Sequence, residues 1–464
     1  MLTRFFNFQT RNISANALIL GVSYFFSALL GLFRDRLLAG NFGAGLQLDV
    51  YFAAFKIPDF VYNIIILGGL TIAFLPLFSE YFSKNREEAW KMVNHLLNVL
   101  LFFLVLISLV LFLITPWLIS RIFPGFGEEA LKLAVPLTRL LFLSPIFFGI
   151  SNLFSGILHY FNRFFVYSLS PILYNLGIIF GILFLSPHFG IFGVGIGVIF
   201  GAFLHMAIQI PSAIKCGFSY KALLDFKFPA LKKIFYLMVP RVFGVAAQQI
   251  NLIIITGIAS TITAGSIAVF SFSNNLQGLP VGIIGVSFAV AVFPTLSRAF
   301  AQNQTKEFLQ NFSSVFKNIL LFVIPVSVLL FLLKGPIVSL IYRTGKFNIE
   351  DVQLTSACLG IFAFSIFAQS LIPLLARGFF SFQDTKTPTL ITIISIAFNV
   401  ALAFSFVQIL SFPNAFSNSF FAFLGLEAGE KTSVLGLPLA FSLAAILQFV
   451  LLFVFFRRKT KAIL

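Results

Sequence analysis

Apolar residues run through this chain in long stretches separated by short polar connections. A helix needs roughly 20 apolar residues to cross a bilayer core. Twelve stretches reach that length, near residues 13–33, 50–80, 92–120, 131–158, 165–186, 189–212, 234–261, 265–297, 312–341, 353–380, 388–411 and 432–456. The pattern predicts an all-α polytopic membrane protein of about twelve transmembrane helices. Several stretches exceed the minimum, so tilted or kinked spans are expected. Prolines such as Pro58, Pro145, Pro240, Pro280, Pro325 and Pro373 lie within or near the ends of spans, where each removes a backbone hydrogen bond. Arg4 and Arg11 before the run from Ile13 to Phe33 give the look of a signal peptide. That run is too long and ends in no small-residue cleavage site, so it reads as the first span.

The stretch 215–233 is the longest cytoplasmic connection in the middle of the chain, carries five lysines, and divides the spans six and six. It reads as a basic linker between an N-lobe, 1–214, and a C-lobe, 234–464. An internal repeat supports the division. Ala73, Pro76, Ser79, Phe82 and Asn85 recur 218 positions later as Ala291, Pro294, Ser297, Phe300 and Asn303. Pro171 and Pro388, opening spans 5 and 11, lie 217 apart. Six being even, two six-helix lobes in the same orientation follow, a transporter architecture with the substrate site between repeats. In span 6, Gly193, Gly197 and Gly201 recur every fourth residue and invite close approach of another helix.

Composition agrees: 59% of the 464 residues are hydrophobic and 10% charged, with mean hydropathy +1.02, which excludes a soluble globular protein. The net charge of +16 would suggest a nucleic-acid partner in a soluble chain. Here it follows from membrane topology, and no nucleic acid is expected. With the N-terminus inside, 19 basic residues fall on inner segments and eight on outer ones, so both termini are expected in the cytoplasm. Phe occurs 66 times, scattered throughout, and carries no functional weight.

Catalytic signatures do not emerge. Gly345-Lys346 is not part of a phosphate-binding loop. His95, His159, His188 and His205 are dispersed without metal-ligand spacing, and Cys216 and Cys358 form no CxxC pair. No cofactor or metal is expected, and an enzyme is disfavoured because outer connections are too short to hold a glycan-processing site. What remains are ionisable groups at membrane depth, costly there and functional candidates for that reason. Lys56, Arg139, Arg241 and Lys317 fall within spans against one acid, Asp59, three residues from Lys56 and able to pair with it. Arg34, Asp35, Arg36 and Asp49 bracket the connection from span 1 to span 2. Gln248, Gln249 and Asn251 continue a polar face in span 7, and Asn274, Asn275 and Gln277 supply one in span 8. Excess positive charge favours an anion, and arginine suits phosphate through its planar fork.

The strings Gly31-Leu-Phe-Arg-Asp35, Phe42-Gly-Ala-Gly45, Asp49-Val-Tyr-Phe-Ala-Ala-Phe-Lys-Ile-Pro58 and Ala73-Phe-Leu-Pro76 resemble the MurJ (MviN) family of lipid II flippases, in the multidrug/oligosaccharidyl-lipid/polysaccharide exporter superfamily. Gln249-Ile-Asn251, Gly285-Val-Ser-Phe-Ala289, Phe293-Pro294, Ala376-Arg-Gly-Phe-Phe380 and Gln383-Asp-Thr-Lys-Thr-Pro388 extend the resemblance over the whole chain. It implies two six-helix lobes in a V and a central cationic cavity. It also implies alternating access that carries undecaprenyl-pyrophosphate-linked peptidoglycan precursor from the inner to the outer leaflet of the bacterial cytoplasmic membrane. Lipid II and bilayer lipid are the implied partners, with cell-wall synthesis proteins beside them.

Arg34, Asp35, Asp49 and Lys56 match polar positions of the family motif. Three family arginines are replaced, by Ala28, Tyr62 and Asn275. Arg139 and Arg241, with Lys317, are expected to supply the missing charge. The substrate-binding set is therefore Arg34, Asp35, Asp49, Lys56, Asp59, Arg139, Arg241, Gln249, Asn274 and Asn275. Alternatives are a flippase for another polyprenyl-pyrophosphate glycan such as an O-antigen unit, a scaffold for cell-wall enzymes, and a cation or drug antiporter. The antiporter would want carboxylates in its cavity, and none lies between Lys232 and Arg298.

Overall fold

The computed structural model describes residues 13–65, 71–427 and 429–463, leaving out the side chains of 13–18, 71–73, 237, 239–241, 243, 430, 462 and 463. Among the described residues there is no strand. The chain begins with α1 (Ile13–Phe42), α2 (Leu46–Ala54), α3 (Lys56–Tyr62) and α4 (Thr71–Lys84). It continues through α5 (Arg86–Ile122), α6 (Glu128–Leu141), α7 (Leu143–Tyr160), α8 (Phe164–Phe180), α9 (Ser186–Phe189), α10 (Ile191–Ala207) and α11 (Ile210–Lys215). The second half holds α12 (Pro229–Ser260), α13 (Ser266–Pro280), α14 (Ser287–Ala301), α15 (Thr305–Leu332), α16 (Lys334–Tyr342), α17 (Ile349–Ala363), α18 (Ile366–Ser381), α19 (Lys386–Ser411), α20 (Ala415–Leu424) and α21 (Gly436–Ile463). Eight helical stretches are long and apolar enough to cross a membrane, and α17 with α18, bent by 47°, makes a ninth. The other three expected spans fall on α1, on α2 to α4, and on α12.

Proline explains several of the breaks. A proline leaves the carbonyl four residues earlier without its helical donor. Pro58 sits in the first turn of α3, and the chain breaks at Phe55, just past the carbonyl it would orphan. Pro145 sits in the first turn of α7, where the Ser144 hydroxyl donates to the Leu141 carbonyl at 2.8 Å. Pro280 ends α13, and a π-helical turn follows at Val281–Val286.

The chain forms two compact units, Met1–Asn41 with Val50–Ile253, and Phe42–Asp49 with Ile254–Leu464. The basic segment 215–233 is tied to α5 within the first unit. Asn94 donates to the Ser219 carbonyl at 3.0 Å and accepts from the Lys221 amide at 2.7 Å. Asn98 donates to the carbonyls of Lys221 and Leu223. Lys233 and Lys84 both donate to Glu80, at 3.1 and 3.0 Å.

The repeat is visible inside each unit. π-Helical turns begin at Asn63 and at Val281, 218 positions apart. Phe82, Trp90 and Phe161 form an aromatic cluster in the first unit, and Phe300, Phe308 and Phe382 form its counterpart in the second. The turn after each cluster holds a non-glycine residue in the left-handed region, Asn162 at φ 54° and Gln383 at φ 57°. The expected small-residue seam of span 6 is present on α10. Its partner α8 brings Gly177, Gly181 opens the π-helical turn that follows α8, and a Cβ on Gly177 would fall 2.3 Å from the Gly201 Cα.

Candidate functional site

The C-terminal part of α1 carries Arg34 and Asp35. The Arg34 guanidinium donates through Nε and Nη2 to one oxygen of buried Asp35, at 3.0 and 2.7 Å, and through Nη1 to Asn175 Oδ1 at 3.1 Å. Asn175 on α8 is itself fixed by donating to Ser27 and to the Pro171 carbonyl. These bonds use three of the five guanidinium N–H groups. The guanidinium is thus held in one orientation with donors left for a ligand, on a side chain still 22% exposed. Neither Asn175 nor its role was legible from spacing, because it comes from another helix.

Below this pair the same unit presents Tyr51, Lys56, Asp59, Tyr62 and Tyr174. Lys56 opens α3 after the break at Phe55 and is half-buried, while Asp59 is exposed. Their charges attract one another, yet no direct ion pair joins them among the described residues. Asp59 lies within electrostatic reach of the hydroxyls of Tyr51, Tyr62 and Tyr174. Arg34 is tied to α8 beside Tyr174 through Asn175, the next residue along that helix.

Arg139 on α6 stands elsewhere. Its Nε donates to the Phe112 carbonyl of α5 at 3.0 Å, and its guanidinium lies 4.7 Å from the centre of the Phe112 ring. Phe112 is four residues before Pro116, inside α5, so its carbonyl is the one that Pro116 leaves without a donor. Arg139 supplies that donor. The Arg241 side chain lies outside the described residues. Gln249 on α12 is half-buried in the first unit.

Asp49 belongs to the second unit, and both its carboxylate oxygens are engaged. They accept from the Gly265 amide at 2.6 Å and the Ala268 amide at 2.8 Å, capping the N-terminal turn of α13. The segment that delivers Asp49 needs its glycines. A Cβ on Gly43, at φ +66°, would stand 2.8 Å from the Lys346 carbonyl oxygen. One on Gly265, at φ +97°, would stand 2.2 Å from that of Ala44. Further along α13, half-buried Asn274 accepts from Gln277 Nε2 at 3.0 Å, and Asn275 is half-buried beside it.

Among the described residues no three His, Cys, Asp or Glu side chains are grouped to hold a metal ion. His95 stacks on Phe228, and His205 shares a hydrogen bond with Ser151 at 2.7 Å. Cys216 and Cys358 are both free.

An all-helical membrane chain built as a repeat, with a fixed arginine and further charges at membrane depth, defines a multi-span transporter. The fold matches that of an inward-facing multidrug transporter of the MATE family, with a TM-score of 0.76 over 94% of this chain and 95% of that one, at 17% identity. The family model for the lipid II flippase MurJ matches residues 38–464, and the chain belongs to this family. A probable lipid II flippase MurJ of Buchnera aphidicola subsp. Schizaphis graminum is 31% identical over 392 residues, 83% of this chain and 76% of that protein. The lipid II flippase MurJ of Burkholderia cenocepacia is 28% identical over 79% of this chain and 73% of its own length. A solved lipid II flippase MurJ in an inward closed conformation superposes with a TM-score of 0.79 at 27% identity, covering 95% of this chain and 87% of that one.

Proposed function

We propose that this chain is a lipid II flippase. It carries the undecaprenyl-pyrophosphate-linked peptidoglycan precursor from the inner to the outer leaflet of the bacterial cytoplasmic membrane by alternating access, leaving the lipid chemically unchanged. The family match over residues 38–464 carries this reading. The Arg34 site supports it chemically. A guanidinium held by Asp35 and Asn175 keeps N–H donors in the fork geometry that matches phosphate oxygens. Asp35 acts as the positioning residue, and Lys56 adds a second cation on the same unit.

In this reading the lobes are 1–214 and 234–464 joined by 215–233, and both termini are cytoplasmic. The Nε bond of Arg139 turns its guanidinium onto the Phe112 carbonyl and ring of α5, so the further cation we assign to the substrate is Arg241, after Pro240 near the start of span 7. Cell-wall synthesis proteins are the proposed neighbours in the membrane.

The test is rescue of a bacterial strain depleted of its own lipid II flippase, at matched membrane abundance. The parent chain is expected to rescue, and Arg34→Ala and Arg241→Ala to fail. Arg34→Lys is also expected to fail, since an ammonium cannot make the fork. A well-expressed parent that does not rescue would sink the lipid II assignment and bring other polyprenyl-pyrophosphate glycans forward.

A further inference from the structure

On the first unit, rings from α3, α7 and α8 pack at an angle to one another, Tyr62 against Phe148 at 53° and Phe148 against Tyr174 edge to face at 72°, so that they form the walls of an angled aromatic cleft. The rings of Tyr62 and Phe148 have centres 5.1 Å apart, and those of Phe148 and Tyr174 are likewise 5.1 Å apart. All three are half-buried, so part of each ring is open. Asn152 on α7 joins the cleft. Its Nδ2 donates to the Tyr62 hydroxyl at 3.3 Å and to the Phe148 carbonyl at 2.9 Å. Both amide hydrogens are therefore used, which fixes the side chain and leaves Oδ1 as an acceptor. The Tyr62 hydroxyl accepts from Asn152 and keeps its own hydrogen to donate.

We infer that Tyr62, Phe148, Tyr174 and Asn152 form a binding platform for a pyranose sugar carrying an acylamino group. This rests on the reading of the substrate as a lipid-linked glycan. Each ring face is electron-rich and so meets the electropositive C–H face of a pyranose. Asn152 Oδ1 accepts from a sugar hydroxyl or an acylamino N–H, and Tyr62 donates to a ring or hydroxyl oxygen. The same features argue against the alternative occupants of this spot. A bare phosphate is disfavoured by the electron-rich ring faces, and an acyl tail gains nothing from a fixed amide and a free hydroxyl. Arg34 marks a neighbouring position, since its Nη1 donates at 3.1 Å to Asn175, the residue after Tyr174 on α8. A sugar bonded directly to a pyrophosphate held at Arg34 thus reaches the platform without leaving the unit.

The test compares purified wild type, Tyr62→Ala, Tyr62→Phe and Arg34→Ala, each verified as monodisperse. The probes are undecaprenyl pyrophosphate without sugar and the same lipid carrying the disaccharide-pentapeptide, and binding of each is measured separately. Tyr62→Ala is expected to weaken the glycosylated lipid by about five- to tenfold and the sugar-free lipid by less than about twofold. Tyr62→Phe keeps the ring and is expected to lose less than Tyr62→Ala, and Arg34→Ala to weaken both lipids. Equal weakening of the two lipids by Tyr62→Ala, or no weakening of either, overturns the platform while leaving the flippase reading intact. Wild-type protein that binds neither lipid overturns both.

Discussion

Lys56 and Asp59 in the first unit, and Asn274 and Gln277 in the second, occupy corresponding places in the repeat, 218 positions apart with the same spacing of three. The two copies use that spacing oppositely. In the second unit two neutral amides bond to each other at 3.0 Å. In the first, two opposite charges stand one turn apart without a direct ion pair, one half-buried and one exposed. A charge at membrane depth costs several kcal/mol unless it is paired or hydrated. The backbone plan is thus duplicated while the chemistry is not, and the first unit carries the charged face of the protein.

The largest effect is expected from erasing the difference. Converting Lys56→Asn together with Asp59→Gln gives the first unit the second unit's amides and is expected to abolish rescue of flippase-depleted cells at unchanged abundance. Retained rescue would mean that the charges serve only the fold. The reverse change, Asn274→Lys, puts an unpaired cation into the neutral copy. It is expected to destabilise by about 2.5–3.5 kcal/mol, seen as lower membrane abundance and an earlier thermal transition.

A third test separates charges that serve a ligand from those that serve the fold. Arg139→Ala leaves the Phe112 carbonyl without a donor and is expected to cost about 1–2 kcal/mol. In a Pro116→Ala background, where the backbone N–H is restored, most of that cost should vanish. A thermal-unfolding double-mutant cycle reads the coupling, and additive costs would break the assignment.

The smallest effect lies outside the membrane. Partial burial pushes the Asp384 carboxyl up, but hydrogen bonds from Lys459 and from Thr387 outweigh it and hold it below its ordinary value of 3.8. A carboxylate held low contributes stability above its unfolded value and loses it as the pH falls through the folded one. The contribution of this pair, roughly 1 kcal/mol or less, is therefore complete at pH 6 and fades below about pH 4. Asp384→Asn should flatten that part of an acid-unfolding curve.

The spans were legible because length and hydropathy alone decide which segments a bilayer accepts. The repeat was legible because its proline, serine and asparagine positions survive in an apolar background. The helix α20 was not anticipated, since its ten residues are too few to register as a span. At the site, Arg34, Asp35, Lys56 and Asp59 announced themselves as charges in apolar sequence. Asn175 and Asn152 did not, because an asparagine becomes informative only when a second helix supplies its partner. Arg139 and Asp49 carried the right charge for a ligand site, but their bonds are to Phe112 and to the start of α13. Pro116 held half of the first answer. It announced an orphaned carbonyl at Phe112, while the donor that answers it comes from the last turn of the next helix, α6.

That proline and its arginine also constrain the history of the chain. With Arg139 in place, a helix carrying Pro116 keeps the Phe112 carbonyl occupied, whereas the proline alone leaves it without a donor on the outward face of the helix. The permissive order of change is arginine first and proline second, and the order of loss is the reverse. Two residues 23 positions apart thereby set the terms on which each can be replaced.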